Sequence, residues 1–326
     1  MGGGAIGAHV DRAPGKATAG EGKRDDSAYC PLCGSQDTWV AKSIEVEPVL
    51  REWERTFRLD VRQEFRGFPR FDLRQCGSCY IGYFAPRCLA GSPELYEQLE
   101  KHDGYYMPRK WEHDVALKDL RGCQRVVEVG CGLGDFVARA RNDGIEIEGI
   151  EQNPSAVQQA ERRGRPVRLL DLRDLAAQCA GKYHAVCSFQ VLEHVPNPGE
   201  FLAACCALLA RGGKLLLGVP NAESFLRHQF SVLDLPPHHM TRWSAKVFHR
   251  VPAMFPLRLE RVKREPLAEY HVQEYVDAYI AVATRDDRLS SLCHPRIKAL
   301  LANSLKRTGA RRLLRGHTLY VAFSRV

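Results

Sequence analysis

The stretch with the clearest chemical character is Val126-Val127-Glu128-Val129-Gly130-Cys131-Gly132-Leu133-Gly134-Asp135-Phe136, an apolar run that breaks into alternating glycines and then turns helical. It reads as strand, tight turn and helix. Glycines in such a turn let a ligand reach bare backbone, and the helix behind it directs unpaired N–H groups at whatever binds. Two common ligands are excluded. A dinucleotide loop of the form G-x-G-x-x-G needs glycine or alanine at 135, where this chain has Asp135, and a phosphate loop needs G-K-S or G-K-T, which is absent.

The acidic residues downstream narrow the choice. Glu151 stands 21 positions after Gly130, at the end of a predicted second strand, where a carboxylate can accept both hydroxyls of a ribose. Asp171 ends the third strand and can accept from an adenine amino group, with the backbone N–H of Leu172 directed at the ring. Glu128, through backbone or water, favours the cationic amino group of an amino-acid tail. An adenosine with a zwitterionic tail and no pyrophosphate is S-adenosylmethionine.

Four of the twelve cysteines carry a second chemistry. Cys30-Pro31-Leu32-Cys33-Gly34 and Cys76-Gly77-Ser78-Cys79 are paired Cys-x-x-Cys turns separated by a 42-residue gap. Each turn can bring two thiolates to one metal, and two turns complete a tetrahedral site that suits Zn²⁺. With every position filled by protein the metal is structural. The alternative is two redox pairs. Strand-like alternation at Phe57-Arg58-Leu59-Asp60-Val61 and Phe71-Asp72-Leu73 gives the segment the look of a zinc ribbon. The other eight cysteines fall at unrelated spacings and read as small buried hydrophobes.

Positioning these groups requires an α/β framework. From Arg125 onward apolar strands alternate with amphipathic helices, the pattern of a doubly wound sheet whose ligands bind beyond the C-terminal strand ends. Strands are predicted near 125–130, 146–151, 166–170, 183–188 and 214–219, followed by 257–263 and 317–324. Helices are predicted near 134–143, 154–163 and 198–210. The expected organisation is a disordered tail over 1–27, a zinc ribbon over 28–90, a helical linker or lid over 91–122 and the α/β domain over 123–326, with a helical insertion at about 266–314. Ser92-Pro93-Glu94 marks a helix start. Tyr105, Tyr106 and Trp111 are either core or, for Tyr106 above all, lining at the entrance to the glycine loop.

The stretch from about 125 to 220 resembles the class I S-adenosylmethionine-dependent methyltransferases, with VVEVGCGLGDF, GIEQN (149–153), LLDLRDL (169–175), SFQVLEHVPNP (188–198) and RGGKLLLGVPN (211–221) in order. The four-cysteine module, the Tyr-Tyr segment before Lys110-Trp111-Glu112, and Pro236-Pro237-His238-His239-Met240-Thr241-Arg242-Trp243 extend the resemblance to a branch that accompanies glycan or small-metabolite pathways. It implies a seven-stranded sheet, with Gly130, Gly132 and Gly134 as the methionine-side loop. It further implies Glu151 at the ribose, with Gln152 beside it as a cofactor-binding residue, Asp171 and Leu172 at the adenine, and Phe189 and Gln190 beneath the sulfonium. Some related O-methyltransferases bind a divalent cation through Glu-x-x-Glu-His, and the corresponding residues here, with His239, are Gln190, Glu193 and His194.

Methyl transfer is an in-line displacement, so the protein mainly aligns the reactants, and an oxygen or nitrogen acceptor must also lose a proton. Histidine suits that task near neutral pH. His238 and His239, held by two prolines, are the leading bases, and His194 is a further candidate or a pocket wall. The Asn/Asp-Pro-Pro-Tyr/Phe signature of base-amine methylation is missing after the fourth strand. The expected function is therefore methylation of a small molecule or glycan intermediate, preferably at oxygen. Two alternatives are a zinc-ribbon RNA methyltransferase and a non-catalytic zinc-bearing interaction protein. The net charge of +8 includes one dense basic cluster, Lys306, Arg307, Arg311, Arg312 and Arg315, which reads as a solvated face before it reads as a nucleic-acid patch. The N-terminus lacks the basic flank and apolar core of a secretory signal, and the longest apolar run, Phe201 to Ala210, is ten residues, so the expected location is the cytoplasm with no membrane partner.

Overall fold

The computed structural model describes residues 29–102, 105–284 and 294–326, so the expected tail at 1–27 lies outside the described residues. The chain opens with β1 (Thr38–Glu45), α1 (Val46–Phe57), β2 (Arg70–Cys76) and β3 (Gly82–Ala85). Next come α2 (Pro93–Leu99) and α3 (Trp111–Asp119). The α/β segment then runs β4 (Val126–Val129), α4 (Asp135–Asn142), β5 (Ile147–Glu151), α5 (Pro154–Arg162), β6 (Val167–Leu169), α6 (Leu172–Gln178), β7 (Tyr183–Phe189), α7 (Pro198–Leu208) and β8 (Leu209–Pro220). It closes with β9 (Thr241–Arg242), α8 (Ala245–Arg250), β10 (Leu257–Pro266), α9 (Val272–Ala283), α10 (Pro295–Thr308) and β11 (Arg315–Arg325).

Two sheets result. The larger has the order β10-β11-β8-β7-β4-β5-β6, with β8, β7, β4, β5 and β6 mutually parallel and β11 antiparallel to both neighbours. This is the expected seven-stranded α/β sheet. Side chains alternate across it, so Val127 and Val129 join one core with Leu202 and Cys205 of α7. Val126 joins the other with Phe136, Val137 and Ala140 of α4. The strand order reverses between β4 and β7, which opens the crevice at their C-terminal ends where the glycine turn lies.

The smaller sheet has the order β1-β2-β3-β9. Its last strand comes from the segment that follows the large sheet, with Gly82 paired to Arg242 and Tyr83 to Thr241. Cys30, Leu32, Cys76 and Cys79 belong to the same buried cluster as Val127, Val129 and Leu202. Gly199 at the start of α7 is required there, because a Cβ would lie 2.8 Å from the Leu32 carbonyl. The two sheets thus share apolar surface, and the small one takes its last strand from the chain that follows β8.

Several local expectations change. Phe57–Val61 is not a strand, since Phe57 ends α1 and Arg58 takes a left-handed C-cap. The helix α1 was not expected; it buries Val46, Val49 and Trp53, a one-sided pattern that charged neighbours mask in the sequence. The helix α6 was also missed, although Asp171 caps it by accepting from the Arg173 N–H. Ser92 caps α2 as expected. Cys88 is exposed rather than buried. Helices α9 and α10 occupy the expected insertion and bury Val272, Val276, Ile280 and Ala302 with Phe225. Among the described residues no helix is long and apolar enough to cross a membrane.

Candidate functional site: a nucleoside cradle beside a histidine cluster

The glycine turn between β4 and α4 places Gly130, Gly132 and Gly134 at φ of 70°, 53° and 69°. A Cβ at these positions would lie 2.5 Å from Val191, 2.7 Å from Tyr106 and 2.8 Å from Val167. Conformation and space therefore both demand glycine. The Glu151 carboxylate organises the floor, accepting from the Gly132 N–H at 2.8 Å and from the N–H groups of Gln152 at 2.8 Å and Asn153 at 3.0 Å. The Gln152 side-chain amide donates to Asp171 at 2.5 Å, so Glu151, Gln152 and Asp171 form one polar strip along the ends of β5 and β6. Leu172 is buried at the start of α6.

Beneath the turn, Glu128 is buried and its Oε2 has no hydrogen-bond partner. Burial raises its carboxyl well above the ordinary value, against the pull of the Lys110 charge. A buried acid with one unpartnered oxygen next to a backbone cradle fits a cationic group, and with the ribose-type acceptors of Glu151 it fits S-adenosylmethionine. Phe189 packs edge-on against Phe136 and His113, at 4.9 and 5.2 Å between ring centroids. Gln190 adopts a left-handed φ of 58°, and its side-chain amide donates to Glu112 at 2.7 Å.

Tyr105 and Tyr106 link this cradle to the histidines. Tyr106 lies across Gly132, and its ring meets that of Tyr105 at 5.2 Å. The Tyr105 hydroxyl is 3.2 Å from His238 Nε2. The rings of His238 and His239 stack at 4.6 Å, and His194 approaches them at 4.5 and 4.9 Å. Each ring has a distinct second partner. His238 Nδ1–H donates to the Leu233 carbonyl at 2.9 Å, and His194 Nδ1–H donates to the His238 carbonyl at 2.7 Å. His239 Nδ1 faces the Asp234 carboxylate at 3.3 Å, and its Nε2 has no partner among the described residues. Burial, then the neighbouring imidazoles, hold His194 well below its ordinary value, and the same causes hold His238 at about 3. Burial alone would raise Asp234, but its hydrogen bond and charge contact with His239 outweigh that and keep the carboxyl at about 2.

The structure therefore separates the two leading bases. His238 has both ring nitrogens engaged, whereas His239 is oriented by a carboxylate and keeps Nε2 unpartnered. Glu193 is buried beside them, 3.9 Å from His194 Nε2, with both carboxylate oxygens unpartnered and its carboxyl raised to about 7 by burial. Ligand atoms of His194, His238 and His239 all lie within 4.8 Å of one another. The metal grouping expected from sequence is corrected here: Gln190 turns to Glu112, and His238 joins His194 and His239 instead.

The four cysteines also converge. Their sulfurs lie within 4.8 Å of one another, with Cys30 to Cys79 at 3.5 Å and Cys33 to Cys76 at 3.6 Å. These separations exceed a disulfide bond and approach the roughly 3.8 Å expected between thiolates around a tetrahedral zinc. Among the described residues every cysteine is a free thiol. The hydrogen bond from Cys79 pulls Cys30 down to about 5, while burial pushes Cys33 up to about 11. A partly ionised thiol cluster of this kind suits a divalent cation.

Sequence reasoning missed Asp234, Glu112 and Tyr96. Asp234 sits in a single turn before the prolines, a position with no periodic signal. Glu112 and His113 lie on the buried side of α3 with Val115 and Ala116, which a hydrophobic pattern assigns to solvent. The Tyr96 hydroxyl, 3.2 Å from His194 Nδ1, projects from a short helix otherwise marked only by its cap.

Residues 101–256 match the family described as a methyltransferase domain, and this span contains both the cradle and the histidine cluster. The chain is also similar to ubiquinone biosynthesis O-methyltransferases, being 35% identical over 120 residues to that of Xanthomonas oryzae pv. oryzae, which covers 35% of this chain and 50% of the relative. The protein of the same name from Bordetella avium is 31% identical over 125 residues, covering 36% of this chain and 51% of its own. The chain thus spans about half the length of the curated relatives it matches. A SAM-dependent methyltransferase from Archaeoglobus fulgidus is 16% identical with a TM-score of 0.42, over 65% of this chain and 94% of that one.

Proposed function

We propose that this chain is an S-adenosylmethionine-dependent methyltransferase that acts on an oxygen of a small molecule or glycan intermediate, with His239 as the general base. The observation that carries the reading is the contact path from the glycine turn to the histidines. Tyr106 lies against Gly132, Tyr105 against Tyr106, and Tyr105 bonds His238, which stacks on His239. Bound S-adenosylmethionine supplies an electrophilic methyl group. The chain's own groups do the rest. The turn at Gly130, Gly132 and Gly134 admits the ligand to the backbone, Glu128 receives its cationic amine, and Glu151 and Asp171 receive ribose and adenine. His239 Nε2 takes the proton of the acceptor hydroxyl while Asp234 holds the ring and stabilises the resulting charge. The buried surroundings exclude water. The similarity to ubiquinone biosynthesis O-methyltransferases supports oxygen as the acceptor atom.

Two metal assignments accompany this reading. Cys30, Cys33, Cys76 and Cys79 hold structural Zn²⁺, which fixes the small sheet against α7. The convergence of His194, His238 and His239 beside the unpartnered Glu193 favours a second reading of the acceptor site. There a divalent cation would lower the pKa of the acceptor hydroxyl in place of a free base.

Transfer of label from radioactive S-adenosylmethionine to a panel of hydroxylated acceptors tests the assignment. His239→Ala is expected to lower turnover about 100-fold or more while leaving S-adenosylhomocysteine affinity unchanged. Equal turnover in the variant removes His239 as base. Inhibition by a chelator, with turnover restored by one added divalent metal, selects the cation reading.

A further inference from the structure

A second cavity of about 630 Å³ lies between one face of the β1-β2-β3-β9 sheet and the segment 222–246. Its floor follows from the strand register. Trp39 pairs with Gln75, Gln75 with Gly82 and Gly82 with Arg242, one row across four strands; Lys42 pairs with Leu73, and Leu73 with Phe84, in the next row of the same face. Three residues apart, Trp39 and Lys42 would point to opposite faces of an unbroken strand. The bulge between Val40 and Lys42 inserts one residue and turns both into the cleft. Gly82 keeps the floor open, because a Cβ there would lie 3.3 Å from the Arg242 Cβ. Arg227, Phe230 and Lys246 form part of the opposite wall.

Charge and shape point to one kind of ligand. Among the described residues, Lys42, Arg227, Arg242 and Lys246 form no ion pair with a carboxylate. The acids of the cleft are Glu223 and Asp234, and Asp234 is engaged by His239. Trp39 and Phe230 leave about half of their surfaces exposed, at 49% and 56%. Four cations against two acids leave the cleft net positive, which matches a multiply charged oxyanion better than a single carboxylate, and arginine forks suit phosphate oxygens. Two open aromatic faces suit a planar ring. The cleft also adjoins the proposed base, since Arg227, Asp234 and Arg242 line both it and a small neighbouring recess that His239 helps to line.

We propose that this cleft binds the methyl acceptor, and that the acceptor is a small diphosphate ester bearing a planar ring. The phosphates lie among Lys42, Arg227, Arg242 and Lys246, the ring lies on Trp39 or Phe230, and the reacting hydroxyl points inward to His239. Only the word acceptor rests on the methyl-transfer reading; the binding site stands on the cleft itself.

Calorimetric titration of the full chain with uridine diphosphate and with inorganic pyrophosphate tests it, with S-adenosylhomocysteine present in excess to occupy the nucleoside cradle. Both probes are expected to bind at one site. Arg227→Gln combined with Lys246→Gln, both exposed positions, is expected to weaken both probes about tenfold or more. Trp39→Ala is expected to weaken uridine diphosphate while leaving pyrophosphate within about twofold. Unchanged affinity in the charge variant, or no binding of either probe at about 5 mM, overturns the proposal. So does a uridine dodecamer that binds more tightly than the diphosphate with a salt slope of several phosphates, which reassigns the cleft to RNA. Titration of S-adenosylhomocysteine alone separates the two claims. Its failure to bind removes the methyl-transfer reading, whereas probe binding in the same preparation still decides the cleft.

Discussion

Lowering the pH from about 7.5 to about 5.5 is expected to remove about 4.5 kcal/mol of folding stability, because buried histidines outnumber the buried acids that oppose them. Burial is the leading cause at each histidine. It holds His113 and His238 at about 3, and His271 and His317 at about 4, all below the ordinary 6.5. A depressed folded pKa gives stability that is complete above 6.5 and is lost as pH falls toward the folded value. In the unfolded chain each of these imidazoles gains nearly a full proton over that interval, about 1.4 kcal/mol apiece, and with His194, which burial also holds well below its ordinary value, the five sum to about 7 kcal/mol. Glu193 and Glu265 act in the opposite sense. Burial raises them to about 7 and about 6, so they take up protons in the folded state and return about 2.5 kcal/mol. The net loss is a large share of the roughly 5–15 kcal/mol that typically holds a domain together. Urea unfolding at the two pH values, followed by tryptophan fluorescence, gives the difference directly. An equal or higher midpoint at pH 5.5 refutes the placement of these histidines as buried and neutral.

Glu193→Gln reports the opposite sign. Wild-type stability from this carboxyl is present below pH 4.5 and lost as pH rises through about 7, so the variant is expected to gain up to about 3 kcal/mol relative to wild type at pH 8.5, measured by urea unfolding. Gly132→Ala would place a Cβ 2.7 Å from the Tyr106 ring at a left-handed φ, and about 1–2 kcal/mol of backbone strain is expected with loss of S-adenosylhomocysteine binding by calorimetry. Cys76→Ser removes one buried ligand of the cysteine cluster. The bound zinc measured by elemental analysis is expected to fall well below one per chain, with Tm lowered by about 5 °C or more. Full zinc retention contradicts the four-cysteine site.

The large sheet was legible because each of its parallel strands is a short apolar run set between turn residues, and because Gly130, Gly132 and Gly134 can be placed only at a strand-to-helix turn. The cysteine pairs were equally readable, since Cys-x-x-Cys spacing is a local geometric property. What the sequence concealed is non-local. Asp234 becomes a partner of His239 only when a turn brings it back beside the ring, and nothing in its neighbours signals that. Pairing of β9 with β3 unites residues about 160 positions apart through two short strands, so the shared core of the two sheets has no periodic signature. The charged residues of α1 and α3 obscured their buried faces, where Trp53 and Glu112 lie under sequence that reads as solvent-exposed.

The proposed methyl transfer depends on the glycine turn, Glu151 and Glu128 acting as a cradle for S-adenosylmethionine. Calorimetric titration of the full chain with S-adenosylhomocysteine tests it most directly, comparing wild type with Glu151→Ala. One-site binding by wild type is expected, with a loss of about 2 kcal/mol or more in the variant, because Glu151 both meets the ribose and fixes the Gly132 N–H. Absence of binding by wild type, or equal binding by the two proteins, would contradict it.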